Sequence, residues 1–260
     1  MLALDIDGTL TSNLKKIPEE VVSFLRESQE PVCLITGRHL SSVEPILAAI
    51  DFPYILALQN GSMVMKMPER KVLFTQYLSE ATLPSLLLNC ADPILYSETV
   101  CYWRPKHHTE KMQQYLTRRI DAMNEVWVEI ESFTPSPERM FPALKWIIEE
   151  SQEKQVLKAL QGVGVEVCSI RDPFDRSFCV VQATKANKGS IVKWLKKEFG
   201  RPVIAAGDDY NDVSMLEHAD ISIAMASAPK EVKEIADIVA PSAKEMGIIK
   251  GLTDAFKSRI

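Results

Sequence analysis

The chain begins with an apolar run that holds two aspartates and ends in a turn, reading Met1-Leu2-Ala3-Leu4-Asp5-Ile6-Asp7-Gly8-Thr9-Leu10. A short continuous apolar run that stops at Asp7-Gly8 is typical of a strand buried inside a sheet. We therefore expect Asp5 and Asp7 to leave the sheet at the carboxyl end of this strand, where open α/β sheets bind ligands. By itself the pattern is weak evidence, because Asp-Gly is also a frequent structural turn.

Strands and helices alternate at both ends of the chain. Apolar runs at Val32–Ile35 and Tyr54–Leu58 predict two further strands, and residues 203–206, 221–224 and 238–239 predict three more near the C-terminus. Segments with helical spacing of apolar residues separate these runs. Strands that alternate with helices imply right-handed crossovers, so we predict an α/β fold with a doubly wound, mostly parallel, Rossmann-like sheet.

The middle of the chain has a different pattern. Paired strand-like runs at residues 72–77, 94–102, 126–130 and 145–148 surround helical stretches. This pattern predicts an inserted α+β domain at residues 62–182, while residues 1–61 and 183–260 together form the core.

Composition and charge limit the classes of partner. The net charge of -5 gives no basic surface of the kind that binding to DNA or RNA requires, so we expect no nucleic-acid partner. No apolar run reaches the roughly 20 residues of a membrane helix, and the N-terminus lacks the pattern of a signal peptide. Five scattered cysteines without a CxxC pair fit reduced thiols. We expect a cytoplasmic protein that does not bind membranes.

A second acidic cluster, Gly207-Asp208-Asp209-Tyr210-Asn211-Asp212, follows the predicted strand at residues 203–206. Several carboxylates in one site repel one another unless a cation neutralises them. Oxygen ligands favour Mg²⁺ over zinc or copper, and none of the four histidines indicates a transition-metal site.

Two short motifs could hold an anionic substrate beside such a cation. Thr36-Gly37-Arg38 ends the second predicted strand, where a hydroxyl and a glycine amide can bind phosphate oxygens. Lys188 precedes a predicted amphipathic helix and adds a positive charge. Arg38 could contact the substrate, cap a helix or form a salt bridge. Each motif carries little information alone, and only their order and their placement at strand ends make them informative.

These four motifs, in this order, resemble those of the haloacid dehalogenase superfamily. The position of the insert, between the second and third motifs, is similar to the subgroup with an α+β cap, which includes Cof-like sugar-phosphate phosphatases and phosphomannomutases. The resemblance covers the core at residues 1–61 and 183–251, whereas the cap matches only in position and class. It implies a Mg²⁺-dependent phosphatase that hydrolyses a small phosphorylated metabolite.

The resemblance also implies a role for each motif. Asp5 would be the nucleophile that forms an aspartyl-phosphate, and Asp7 would be the acid/base. Asp5, Asp208 and the main-chain carbonyl of Asp7 would bind Mg²⁺.

The remaining motif residues would bind the substrate or support the metal site. Thr36, the Gly37 amide and Lys188 would stabilise the transferring phosphoryl group, and Lys188 therefore counts among the catalytic residues. Asn211 and Asp212 would position metal-bound waters or Lys188, with Asn211 close to the substrate and Asp212 outside the metal ligands.

Two other functions are compatible with these motifs. A phosphotransferase of the phosphomannomutase type would share all four motifs but move the phosphoryl group between sugar hydroxyls. A non-catalytic module that binds Mg²⁺ and a phosphorylated ligand would have no use for a nucleophile and an acid/base pair.

Overall fold

The computed structural model describes residues 1–78, 86, 92–123, 125–131 and 140–258. The predicted insert at 62–182 thus includes segments that lie outside the described residues. In chain order, the strands are β1 (Leu2–Asp5), β2 (Val32–Ile35), β3 (Tyr54–Leu58), β4 (Met63–Met67), β5 (Lys71–Thr75), β6 (Ile94–Tyr96), β7 (Cys101–Trp103), β8 (Trp127–Glu129), β9 (Ala143–Glu149), β10 (Glu166–Arg171), β11 (Phe178–Thr184), β12 (Ile204–Gly207), β13 (Ile221–Met225) and β14 (Ile238–Ala240).

The α-helices of the described residues are likewise numbered in chain order. They are α1 (Glu19–Glu27), α2 (Leu40–Leu47), α3 (Glu110–Met123), α4 (Glu153–Leu160), α5 (Lys188–Phe199), α6 (Val213–His218), α7 (Lys230–Glu234) and α8 (Gly247–Lys257). None of them is both long enough and apolar enough to cross a membrane.

The chain divides into two compact units. The first contains Met1–Arg38, Val43–Phe74 and Asn187–Ile260, and the second contains His39–Ser42 and Thr75–Ala186. The domain boundaries that the sequence predicts, after residues 61 and 182, stay a prediction.

The first unit is built on an eight-stranded sheet in the order β14-β13-β12-β1-β2-β3-β4-β5. Its first six strands run parallel, whereas β4 is antiparallel to β3. Alternate residues of the central strands, such as Ala3 and Cys33, pack against Val192 and Leu195 of α5 and Met215 of α6. The predicted fold class, a mostly parallel α/β sheet with a separate α+β unit, is confirmed. The sequence assigned β4 and β5 to the insert, but both strands extend this sheet.

The second unit contains a six-stranded sheet in the order β10-β11-β9-β6-β7-β8. All its pairs are antiparallel except β7 and β8, which α3 connects. The central strand β9 is buried on both faces, because Leu144 and Trp146 pack in one apolar cluster with α4 while Ala143 and Ile147 pack in another with α3. This arrangement accounts for the apolar residues on both faces of β9, among which Lys145 is the one buried charge.

Charged side chains are also buried in the second unit. Arg119 Nε, on α3, donates a hydrogen bond of 2.9 Å to Asp172 Oδ2, and both side chains are almost fully buried. Glu125 Oε2 accepts hydrogen bonds from the Tyr96 hydroxyl at 3.2 Å and from Trp127 Nε1 at 2.8 Å. Because buried charges are tolerated only when they are paired or hydrogen-bonded, these contacts fix α3 on its sheet.

Candidate active site

Three predicted motifs meet at the carboxyl ends of neighbouring parallel strands in the first sheet. Asp5 is the last residue of β1, Thr36 follows β2 and Asp208 follows β12. Both β2 and β12 are parallel neighbours of β1, so the carboxyl ends of the three strands lie side by side. The parallel topology therefore brings together residues that are as many as 203 positions apart.

Gly8 allows the turn after β1 to approach the second acidic cluster. Its φ of +86° is in the left-handed region, and a Cβ at this position would lie 2.0 Å from Asp208 Oδ2. Any larger residue would force Asp208 away from the end of β1. Glycine at position 8 is therefore required both by the turn and by the close approach of Asp208.

Lys188 joins Asp5 to Asp212. It is the first residue of α5, whose N-cap Asn187 accepts a hydrogen bond from the Ser190 amide. Its side chain is 1% exposed, and its ammonium group donates to Asp5 Oδ1 and to Asp212 Oδ1, both at 2.5 Å.

Asp212 also orders the main chain of the acidic cluster. Its second oxygen, Oδ2, accepts hydrogen bonds from the amides of Asp208 at 2.8 Å and Asp209 at 3.0 Å. Both carboxylate oxygens of Asp212 are therefore occupied, one by Lys188 and one by this turn.

The electrostatics of the cluster are dominated by burial and by like charge. Burial raises the pKa of Asp5 to about 8, against the opposing effect of Lys188, with Asp212 and Asp7 raising it further. Burial, together with Asp5 and Asp212, raises the pKa of Asp208 to about 9. For Lys188, burial would lower the pKa, but Asp212 and Asp5 outweigh it and raise the pKa well above its usual value. One ammonium group does not neutralise these carboxylates.

Asp5, Asp208 and Asp212 form a group that fits a metal ion. One carboxylate oxygen from each lies within 4.8 Å of the others. In the described part of the chain, Asp5 Oδ2 is buried and has no hydrogen-bond partner. An uncompensated carboxylate oxygen beside further carboxylates is the donor set that a hard divalent cation binds. Asp7, predicted to contribute through its main-chain carbonyl, is not part of this side-chain group.

Asp7 is instead held by Arg38. Arg38 Nε donates to Asp7 Oδ2 at 2.6 Å and Nη2 donates to Asp7 Oδ1 at 2.8 Å. The arginine side chain is 8% exposed, and the two parallel hydrogen bonds fix the plane of the carboxylate. The sequence left a substrate contact, a helix cap and a salt bridge open for Arg38, and nothing in the spacing of the motifs identified Asp7 as its partner.

The other predicted site residues lie on the same loops. Thr36 is buried, and its hydroxyl oxygen accepts a hydrogen bond of 3.1 Å from the Arg38 amide, which fixes the loop through Gly37. Asn211 is half-buried in the turn Tyr210–Asp212 that precedes α6. The roles predicted for Thr36, Gly37 and Asn211 in binding substrate stay predictions.

A parallel α/β sheet with buried carboxylates, a lysine and a glycine turn at the carboxyl ends of its strands is the arrangement that the four sequence motifs predict. The chain matches the haloacid dehalogenase-like hydrolase family over residues 2–252 and belongs to that family. The family predicted from the four motifs is confirmed, and with it the predicted class of enzyme, a phosphoric monoester hydrolase.

Individual relatives cover almost the whole chain. A phosphoglycolate phosphatase of Archaeoglobus fulgidus is 24% identical over 255 residues, covering 96% of this chain and 94% of the relative. A pyridoxal phosphate phosphatase of Escherichia coli is 23% identical and covers 92% of each chain. Among solved structures, a sugar phosphatase of subclass IIB of the superfamily superposes with a TM-score of 0.75 at 23% identity, covering 97% of both chains.

Proposed function

We propose that the chain hydrolyses a small phosphorylated metabolite with Mg²⁺ as cofactor and an aspartyl-phosphate on Asp5. The observation that carries the proposal is the state of the Asp5 carboxylate at the end of β1. One of its oxygens is held by Lys188 at 2.5 Å, while the other has no hydrogen-bond partner among the described residues. Lys188 fixes this carboxylate, which would attack phosphorus in line through one oxygen while its other oxygen binds Mg²⁺.

The donor set supports Mg²⁺ as the cofactor. Asp5 and Asp208 would hold the ion through their side chains, and Asp7 through its main-chain carbonyl. Asp212 would not bind the ion directly, because its oxygens already accept hydrogen bonds from Lys188 and from the amides after β12. When bound, the cation neutralises the carboxylates and the charge on the transferring phosphoryl group.

The side chains of this site can then perform two successive steps. Asp7 would have to enter the first step protonated: Asp5 attacks phosphorus while Asp7 gives its proton to the leaving alcohol oxygen, so that the ester P–O bond breaks as the aspartyl-phosphate forms. Asp7, now ionised, takes a proton from a water molecule that hydrolyses the aspartyl-phosphate and releases inorganic phosphate. Lys188, the Thr36 hydroxyl and the Gly37 amide stabilise the phosphoryl oxygens in both steps.

The relatives support a small phosphorylated metabolite as the substrate. Their names include phosphoglycolate and pyridoxal phosphate phosphatases, and one solved relative is a sugar phosphatase. We propose the sugar-phosphate class as the first group of compounds to assay.

Two rival functions are separated by product analysis. A phosphotransferase of the phosphomannomutase type would convert a hexose 1-phosphate into its 6-phosphate isomer, whereas a phosphatase releases inorganic phosphate. A non-catalytic module would release no phosphate from p-nitrophenyl phosphate. The ordered pair Asp5 and Lys188 favours catalysis, because a binding module needs no nucleophile.

Removal of the metal tests the proposal directly. We expect the chelated protein to release no phosphate from p-nitrophenyl phosphate and Mg²⁺ to restore the activity, because the carboxylates cannot stay ionised beside a phosphate without a cation. Asp208→Asn should raise the Mg²⁺ concentration needed for half-maximal activity at least about tenfold. Asp209→Asn, a neighbour outside the metal-binding group, is the matched control and should keep the requirement of the wild type. Full activity of carefully demetallated protein would contradict the mechanism.

Arg38 provides a second test, through the position of Asp7. We expect Arg38→Gln to lower kcat by about 10- to 100-fold with KM nearly unchanged, because Asp7 loses the two bonds that orient it for proton transfer. Steady-state kinetics on one substrate measures both constants. If Arg38 binds substrate instead, KM rises. Arg26→Gln, which breaks an exposed pair with Asp51 in the same unit, is the control and should change neither constant.

A further inference from the structure

One edge of the eight-stranded sheet is exposed and apolar. Strand β5 (Lys71–Thr75) has β4 as its only hydrogen-bonded strand in the described part of the chain. Val72 and Leu73 are 42% and 39% exposed, and residues 72–74 carry no charge, proline or glycine. Sheet edges that stay unpaired are usually very short or are protected by charged side chains or proline, and in β5 the one such residue, Lys71, lies at the end of the strand. The opposite edge, β14, has three residues, whereas β5 has five.

A cleft of about 560 Å³ opens on the sheet beside this edge and extends across β4 and β3 to the start of β2, where Pro31 and Val32 line it. Leu73 and Phe74 line its end at the sheet edge, and Pro53, Tyr54 and Ile55, at the start of β3, line its middle. Trp194 and Phe199 of α5 continue its wall: Trp194 makes edge contacts with Phe74 and Phe199, and Phe199 is 43% exposed. Phe74, Trp194 and Phe199 thus extend the apolar surface of the β5 edge onto the neighbouring part of the sheet.

We propose that this chain forms a homodimer in which β5 pairs antiparallel with β5 of a second copy. With Leu73 on the two-fold axis, Leu73 faces the partner's Leu73, Val72 faces the partner's Phe74, and Lys71 faces the partner's Thr75. Aliphatic and aromatic residues thus meet across the strands, which stabilises a sheet.

The position of Lys71 favours a second copy of this chain as the partner strand, and it favours antiparallel pairing. Lys71 is the only charged residue of β5, and it lies at one end of the strand. Antiparallel pairing separates the two lysines to opposite ends, whereas parallel pairing would place like charges side by side. The strand is therefore complementary to itself, as a two-fold interface requires.

The proposed dimer interface lies far from the proposed active site. Four strand spacings separate β5 from β1, which is roughly 19 Å at about 4.8 Å per strand. Pairing at this edge therefore leaves Asp5 and Lys188 untouched, and its test needs no enzymatic readout.

Analytical ultracentrifugation of the full chain over a range of protein concentrations tests the dimer. We expect the wild type to sediment as a dimer and Leu73→Lys to raise the dissociation constant at least about tenfold, because two ammonium groups would face each other on the axis. Val239→Lys places the same charge on the opposite edge strand at a residue that is 53% exposed, and it should leave the dimer unchanged. Because Leu73 is itself exposed, Leu73→Lys should fold, and circular dichroism checks this.

Cysteine pairing tests the register independently. Under mild oxidation, Leu73→Cys should give a disulfide between two copies, because directly opposed Cβ atoms lie about 4.5–5.5 Å apart. Lys71→Cys and Thr75→Cys should cross-link when they are mixed, and neither should do so alone. A wild type that stays monomeric overturns the proposal and leaves the β5 edge to a strand of another protein. A dimer that Leu73→Lys leaves intact, or that Val239→Lys weakens equally, overturns it as well.

Discussion

Asp5→Asn is expected to give a folded protein whose release of phosphate falls by about four orders of magnitude or more. The amide has nearly the shape of the carboxylate and its oxygen can still accept the hydrogen bond from Lys188, but it is a far poorer nucleophile. The proposed mechanism has no other group that could form the covalent intermediate. Single-turnover phosphate release from p-nitrophenyl phosphate, with saturating Mg²⁺, measures the loss.

The same substitution should not destabilise the metal-free protein at neutral pH. A carboxyl whose pKa is raised on folding stabilises the folded state at low pH, and this contribution is lost as the pH rises from about 4 to about 8. A neutral amide does not ionise, so Asp5→Asn avoids this loss of stability. Its thermal midpoint in the presence of a chelator should therefore equal or exceed that of the wild type.

Asp51→Asn is a matched control for Asp5→Asn. Asp51 is an exposed carboxylate of the same unit that pairs with Arg26, and its replacement should leave turnover unchanged. If Asp5→Asn releases phosphate at a rate near that of the wild type, Asp5 is not the nucleophile and the proposed mechanism is wrong.

Local patterns predicted the core because each core strand is a buried apolar run that ends at a turn. The strands at Val32–Ile35 and Tyr54–Leu58 have the bounds that the sequence indicated. Local patterns could not assign β4 and β5 to a sheet, because an antiparallel strand pair looks the same whether it extends the core or begins an insert.

The parts of the site that the sequence could not predict depend on distances between remote segments. Asp5 and Lys188 could be placed at the end of β1 and the start of α5 from their local patterns. The pair between Arg38 and Asp7 could not, because it depends on how two adjacent loops leave parallel strands. The need for Gly8 beside Asp208 follows from an approach between chain segments 200 residues apart.

Lys188→Met is expected to lower both stability and activity. The side chain is almost fully buried between Asp5 and Asp212, so its loss leaves two buried carboxylates without their cation. Removing one partner of a buried pair costs about 3–5 kcal/mol of unfolding free energy. Turnover should fall by about 10²- to 10³-fold or more, because the phosphoryl oxygens lose a preorganised donor. Thermal unfolding and kcat measure the two effects.

A double variant separates these two roles of Lys188. Lys188→Met with Asp212→Asn removes one charge of each sign, so most of the lost stability should return. The asparagine oxygen can still accept from the amides of Asp208 and Asp209, which preserves the turn after β12. Activity should stay low, because no positive charge remains beside Asp5 to contact the phosphoryl group. Lys193→Met, an exposed lysine on the same helix, controls for the loss of a charge and should behave as the wild type. If the double variant regains the turnover of the wild type, Lys188 serves only to neutralise buried carboxylates and has no part in catalysis.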